Sequence, residues 1–126
     1  MSRPYIPNDI SISEEISFEL ITGPNGSGKT LYIKQVALII ILAQIGMFVP
    51  AVQCRINIRD RILARMGSAE SIEHGVSSFD GEMRETGYIL NNATKSSLVV
   101  VDELGKSTSI VDGIAIAFSV AEKLIG

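Results

Sequence analysis

Apolar and polar positions follow one another along this chain in blocks that predict strands and helices in turn. A short strand is predicted at residues 18–22, and a strongly apolar helix follows it to about Ile45, where Gly46 is expected to end it. Residues 55–58 alternate polar and apolar positions as a half-buried strand does, and residues 61–66 predict another strand.

The second half of the chain continues the alternation. Residues 82–93 and 112–125 predict helices, and residues 97–101 form the continuous β-branched run that is typical of a central parallel strand. Loops are expected at residues 67–78 and 104–109. The apolar contacts expected of these two helices are Met83, Tyr88, Ile89 and Leu90, then Ile114, Ile116, Phe118, Val120, Ala121 and Leu124. Such an order predicts an α/β fold with a parallel sheet, whose ligand lies at the carboxyl ends of the strands.

Between the first strand and the first helix lies a glycine-rich stretch that carries chemistry. Residues 23–30 match the pattern G-x-x-x-x-G-K-[ST] in full, and we call them the phosphate-loop motif. Glycines let successive backbone N–H groups turn inward around phosphate oxygens, and the next helix aims its N-terminus at the same anion. The candidate phosphate-binding residues are Gly23, Pro24, Asn25, Gly26, Ser27, Gly28, Lys29 and Thr30. Lys29 is expected to reach the β and γ phosphates, and the Thr30 hydroxyl to ligate Mg²⁺.

A pair of acids supplies the second half of the candidate site. The apolar strand at residues 97–101 runs directly into Asp102 and Glu103. An acid at the end of such a strand holds Mg²⁺ in phosphate-loop ATPases. We therefore expect Asp102 to hold the metal and Glu103 to act as the general base that polarises the attacking water.

Composition narrows the classes of function. The chain has 126 residues, 46% of them hydrophobic, and a formal net charge of −3, without a basic stripe of the kind that binds nucleic acid. Its single cysteine, Cys54, excludes an internal disulfide and is expected in the core. The apolar stretch at residues 36–52 is interrupted by polar residues, so we expect no membrane contact. Glu82 and Glu85 are expected on a solvated helix face, and His74 in a loop without a metal role.

Four blocks of this sequence resemble the ATPase domain of MutS proteins. They are residues 21–25, 46–51, 77–83 and 102–105, and the resemblance extends from about residue 5 to residue 124. It implies a phosphate-loop (P-loop) NTPase fold of the ABC type, with a mostly parallel β-sheet flanked by helices, and a single domain at residues 1–126. It also implies ATP and Mg²⁺ as cofactors and ATP hydrolysis as the reaction.

The resemblance assigns further residues to the nucleotide. Tyr5, Ile6 and Asn8 stand where the family contacts the adenine, with the Tyr5 ring stacked on the base. Ser77 and Phe79 fall in the signature loop that reaches the nucleotide of a partner subunit.

The expected partners follow from the same resemblance. Each composite ATP site would need a homologous MutS-family subunit, with Asn25 at the interface and residues 112–113 crossing between subunits, and a monomer would hydrolyse ATP slowly. ATP would switch a dimeric clamp on double-stranded DNA, contacted at a mismatch or branched junction through domains absent here. The resemblance is compatible with a role in mismatch repair and with a role in meiotic recombination. Residues 43–46 and 88–90 look most like the fourth, meiotic eukaryotic homologue, which implies a nuclear location.

The sequence also departs from the family pattern. Gly26 replaces a usual Met, residues 30–31 replace a Ser-Thr pair, and residues 105–108 replace Gly-Arg-Gly-Thr; Asp80 and Gly81 are also unusual. We expect these departures to affect the rate of ATP hydrolysis and the communication between the two subunits more than nucleotide binding.

The domain is expected to be partial. The family's last strand and its Thr-His switch would follow residue 126, so we expect a fragment of low activity. Two alternatives stay open. One is another ABC-type ATPase, which would carry a Leu-Ser-Gly-Gly signature; the other is a truncated, non-hydrolysing paralogue that only pairs with a partner subunit.

Overall fold

Three helices and two short strands make up the regular structure of the described residues. The computed structural model describes residues 6–13, 16–67 and 78–126. Its elements, in chain order, are α1 (Lys29–Gln44), β1 (Ile62–Arg65), α2 (Ser78–Asn92), β2 (Leu98–Val101) and α3 (Ile110–Ile125). The two strands predicted at residues 61–66 and 97–101 are thereby confirmed, as are the three helices.

The sheet consists of β1 and β2, which pair in parallel with Ile62 opposite Leu98 and Arg65 opposite Val101. The expectation of a P-loop NTPase fold with a mostly parallel sheet flanked by helices is therefore wrong: the described residues form a small α/β fold with two strands and three helices. Helix α1 packs against β2, and α2 packs against β1 and α3.

Two of the predicted strands are absent from the described residues. Residues 18–22 and 55–58 are irregular, and the side chains of Leu20 and Ile58 are 77% and 84% exposed. A strand needs a neighbour for its backbone N–H and C=O groups, and these segments have none in the described sheet. An alternating apolar pattern predicts which side chains can be buried. A strand forms only where another strand pairs with it, and the pattern does not predict that partner.

Glycines define both ends of α1. Gly28, with φ of 99°, is its N-cap residue, and Gly46, with φ of 80°, follows its last turn. The amide of Gly46 donates to the Ala43 carbonyl and the amide of Met47 to the Leu42 carbonyl, which satisfies carbonyls at the helix end. The predicted stop at Gly46 is confirmed. No helix in the described part of the chain has the length and apolar character needed to cross a membrane.

Helices α2 and α3 each begin earlier than predicted, and polar side chains account for both starts. In the first turn of α2, Asp80 pairs with Arg84 at 2.9 Å, one turn later. At the start of α3, the Ser109 hydroxyl accepts a hydrogen bond from the Asp112 amide and caps the helix.

The core is small and lies along the sheet. Its buried apolar residues are Ala37, Ile40, Leu63, Ile89, Val100 and Val120. The prediction of core contacts is confirmed for Ile89 and Val120. It is wrong for Tyr88, Ile114 and Phe118, whose side chains are exposed. Cys54 is also exposed, against the expectation of a core position.

A close contact between two glycines joins the loop after β2 to α3. A Cβ atom built on Gly105 would lie 2.5 Å from the carbonyl oxygen of Gly113, and one built on Gly113 would meet the Gly105 carbonyl oxygen. Neither neighbour is a flexible side chain, so the backbones approach this closely only because both residues lack a side chain.

We expect Gly113→Ala to lower the free energy of unfolding by about 1–3 kcal/mol, because α3 must move away from residue 105. Gly87→Ala in α2 is the matched control: a Cβ there meets nothing within 4 Å, and Ala favours a helix interior over Gly by about 1 kcal/mol. Urea unfolding of the two variants checks this. Equal or greater stability of Gly113→Ala would contradict the close contact.

Candidate functional site

The phosphate-loop motif forms a compact turn that leads into α1. Gly26 and Gly28 have φ of 79° and 99°, a region that residues with a Cβ rarely adopt. The Ser27 amide donates to the Pro24 carbonyl at 3.2 Å, which closes the turn. Of the three glycines that the sequence predicted to need such freedom, Gly26 and Gly28 have a positive φ and Gly23 does not.

The side chain of Lys29 closes back over the motif. Its ammonium donates to the carbonyl oxygens of Gly23 and Pro24, at 2.6 and 2.9 Å. The positive charge is thereby held beside the turn, close to the N-terminus of α1.

The N-terminus of α1 has no side chain that caps it. Gly28 is its N-cap residue and offers no side-chain acceptor, and the first turn contains no acidic residue. The backbone N–H groups of a first turn have no partners within their own helix and carry the positive end of the helix dipole. This end of α1 therefore favours an anionic ligand, the same charge that Lys29 favours.

The metal-binding candidates lie in direct contact. The Thr30 hydroxyl, in the first turn of α1, donates to Oδ2 of Asp102 at 2.6 Å, across 72 residues of sequence. Asp102 directly follows β2 and is 8% exposed, and its amide donates to the Arg65 carbonyl as a continuation of the strand pairing. The fold thus places a hydroxyl and a carboxylate together beside the phosphate-loop motif.

These two oxygen atoms suit Mg²⁺, which prefers hard oxygen ligands and binds through one or two carboxylates together with phosphate oxygens. Within the described ranges there is no group of three or more His, Cys, Asp or Glu residues that could hold a metal by itself. The donor set therefore fits a metal that arrives with a phosphate ligand and does not fit a resident metal in an all-protein cage.

Glu103 lies at the surface next to this pair. Its φ of 52° is the only positive φ of a residue other than glycine in the described ranges, and such strain of roughly 1–3 kcal/mol is typical of functional positions. Its carboxylate accepts a hydrogen bond from Lys106 Nζ at 2.6 Å. That hydrogen bond and the charges of Lys106 and Lys29 lower the pKa of Glu103. The residue is therefore an anion at neutral pH, the state a general base needs.

A buried carboxylate behind this surface was missed by the sequence reasoning. Glu82 was expected on a solvated helix face, and this is wrong: the residue is 2% exposed and accepts hydrogen bonds from the Gly105 and Ser107 amides. Its position in the second turn of α2, facing β1, is the reason. The prediction holds better for Glu85, whose side chain is 63% exposed although it lies 3.5 Å from Arg65.

Of the residues assigned to the adenine and the partner nucleotide, the structure describes Ile6, Asn8 and Phe79. Ile6 is 76% exposed, and the Asn8 carbonyl accepts a hydrogen bond from Gln35, on the second turn of α1. Phe79 is 39% exposed at the start of α2, which packs on β1 and α3. Asn25 lies in the exposed turn of the motif. Tyr5, Ser77 and His74 lie outside the described residues.

The described residues define a candidate site for a magnesium-bound phosphate. It consists of a glycine turn, an uncapped helix N-terminus, a lysine and a hydroxyl–carboxylate pair.

Comparison with known proteins identifies the family: residues 19–126 match MutS domain V, and the chain belongs to the MutS family. It is 52% identical over 122 residues to "DNA mismatch repair protein MutS" of Protochlamydia amoebophila (strain UWE25), with 96% of this chain and 14% of that protein covered. It is 45% identical over 124 residues to the protein of the same name from Prochlorococcus marinus (strain MIT 9303), with 98% and 13% covered.

These comparisons correct the finer expectations. The chain spans about one seventh of the length of these relatives, since it covers 14% and 13% of them. Both relatives are bacterial, and bacteria have no nucleus, so the nuclear location is wrong. The comparisons support the MutS family and give no support to the meiotic homologue.

Proposed function

We propose that this chain binds Mg²⁺-ATP at the phosphate-loop motif and contributes ATP hydrolysis to a MutS-family DNA mismatch repair protein. The observation that carries the proposal is the hydrogen bond from Thr30 to Asp102, which joins the two sequence motifs of such a site. Lys29 and the N-terminus of α1 supply positive charge on the same side.

Each side chain has a defined part in the proposed chemistry. The amides of the motif and Lys29 bind and orient the phosphates, and Thr30 and Asp102 hold Mg²⁺. When bound, Mg²⁺ neutralises charge that develops on the phosphate oxygens. Glu103, charged at neutral pH, accepts a proton from the attacking water. Lys106, by its hydrogen bond and its charge, lowers the pKa of Glu103 and so stabilises the carboxylate form.

Partner binding is the second part of the proposal. We propose a homologous MutS-family subunit as the partner and mismatched double-stranded DNA as the target of the whole protein, in line with the name of the relatives, DNA mismatch repair protein MutS. The residues of this chain, with their net charge of −3, are not proposed to contact DNA. A different ABC-type ATPase is disfavoured, because the match to MutS domain V runs through residues 19–126. A paralogue that only pairs with a subunit is disfavoured by the close approach of Thr30 and Asp102.

The magnesium dependence of ATP binding tests the proposal. We expect Thr30→Val and Asp102→Asn each to weaken binding of Mg²⁺-ATP by about tenfold or more, while binding of ATP in EDTA changes much less. Measured in a double-mutant cycle, the two effects should not add, because the residues act on one ion.

Thr94→Val is the matched control, because the Thr94 hydroxyl donates to Asp60 Oδ2 at the same distance of 2.6 Å, at the other end of β2. It should leave Mg²⁺-ATP binding unchanged. Equal losses in all three variants would point to general destabilisation, and no loss in Thr30→Val or Asp102→Asn would reject the metal site.

A further inference from the structure

Glu82 is a buried charged group, and its hydrogen bonds concentrate on one short segment. The segment is residues 103–107, which we call the acidic loop because it begins with Glu103. Glu82 Oε1 accepts from the Gly105 amide at 2.7 Å, and Oε2 accepts from the Ser107 amide at 3.2 Å and from the Ser107 hydroxyl. One carboxylate of α2 therefore holds two backbone positions on either side of Lys106.

A buried carboxylate is costly unless its charge and its lone pairs are compensated. Arg65 Nη2 lies 3.1 Å from Glu82 Oε1 and supplies the opposite charge. Burial raises the pKa of Glu82, but the hydrogen bonds from Ser107 and Gly105 and the charge of Arg65 outweigh it, so the pKa is lowered overall. Glu82 is therefore charged in the folded protein, and its acceptor oxygens stay available for the acidic loop.

The same arginine connects this network to the metal-binding pair. Arg65 Nη1 donates to the carbonyl oxygen of Asp102 at 2.9 Å, and the Asp102 amide donates to the Arg65 carbonyl. The backbone of Asp102 is therefore fixed on one side by β1. On the other side, Glu82 fixes the chain from Gly105 onward. Glu103 lies between the two anchors, with its strained φ of 52°.

We propose that Glu82 is a positioning residue that, from α2, holds the acidic loop in the conformation that presents Glu103 beside the phosphate-loop motif. This inference rests on the proposed function, in which Glu103 is the general base. Glu82 itself touches no substrate: it acts through the amides of Gly105 and Ser107. Because Glu82 lies on α2, a movement of α2 would reach the acidic loop through this carboxylate.

Glu82→Gln tests the proposal, because the amide keeps the size of the side chain but replaces one acceptor oxygen with an NH₂ donor. Loss of one acceptor oxygen should speed hydrogen exchange of the amide that it bound, Gly105 or Ser107, by about tenfold. Turnover of ATP by the same chain should fall by about tenfold while KM for Mg²⁺-ATP changes less than about twofold. A smaller folded fraction would also lower kcat at constant KM, so kcat is expressed per folded chain, with the folded fraction taken from urea unfolding.

Glu85→Gln is the matched control. It lies on the same helix and approaches the same Arg65, but from the exposed side. It should leave exchange and turnover unchanged. If Glu82→Gln does not fold, Ser107→Ala replaces it, because it removes only one hydroxyl donor to Glu82. Ser107→Ala should lower kcat about threefold without a change in KM.

The outcomes separate the two proposals. Unchanged exchange and unchanged kcat in the folded Glu82→Gln variant, or in Ser107→Ala where it stands in, would overturn the positioning role even if ATP binding is found. The wild type could neither bind nor hydrolyse ATP while the variant shows faster hydrogen exchange. This result would reject the proposed function and support the role of Glu82 in holding the acidic loop. Faster exchange together with a lower kcat would support both.

Discussion

Lys29→Ala should remove most of the affinity of this chain for ATP. Its ammonium donates to the carbonyl oxygens of Gly23 and Pro24, which places the charge at the turn where phosphates would bind. A charge-assisted hydrogen bond contributes about 2 kcal/mol, so its loss corresponds to roughly a 30-fold weaker Kd for ATP. Binding of adenosine, which has no phosphate, should not change.

The matched control is Lys34→Ala, an exposed lysine on the same helix that lies beyond the first turn. Isothermal titration of the wild type and both variants with Mg²⁺-ATP checks the prediction. Lys34→Ala should bind as the wild type does. If Lys29→Ala retained wild-type affinity, Lys29 would not contact phosphate, and the assignment of the phosphate-loop motif would fail with it.

Glu103→Gln should abolish turnover and leave binding of Mg²⁺-ATP intact. A positioned general base contributes about 100-fold or more to the rate, and the amide cannot accept a proton from water. The neighbouring Lys106 lowers the pKa of Glu103 by its hydrogen bond first and its charge second. A lowered pKa means that Glu103 is deprotonated across the neutral range, so we expect kcat of the wild type to show no acid limb near neutral pH.

Phosphate release under saturating Mg²⁺-ATP measures the effect, with Glu122→Gln, on the exposed surface of α3, as the control. Replacing Lys106 with Met should raise the pKa of Glu103 towards its ordinary value and move the acid limb of kcat to higher pH. Turnover in Glu103→Gln equal to that of the wild type would show that another group takes the proton.

The candidate site was more predictable from the sequence than the fold around it. The motif at residues 23–30 and the Asp102–Glu103 pair carry local chemical requirements, and the structure brings Thr30 to Asp102 as the sequence reasoning expected. The bond between them needs a helix that starts after a glycine turn, a strand that ends in an acid, and the packing of α1 against β2. The first two features can be read from neighbouring residues.

The sheet could not be predicted in the same way, because strand formation depends on distant neighbours. Residues 18–22 and 97–101 are both predicted to be strands, yet only the second pairs with another strand in the described residues. Glu82 shows the converse. No periodicity distinguishes a buried glutamate from a solvated one, and its burial follows from contacts with residues 23 and 25 positions later in the chain, Gly105 and Ser107.

Nucleotide binding is measured most directly by an equilibrium titration of the wild-type chain with ATP, with and without Mg²⁺, and with AMP as a comparison. We expect saturable binding at one site that is stronger with Mg²⁺ and much weaker for AMP, since the phosphates and the metal carry the contacts. Absence of ATP binding, or equal binding of ATP and AMP with no effect of Mg²⁺, would contradict this expectation.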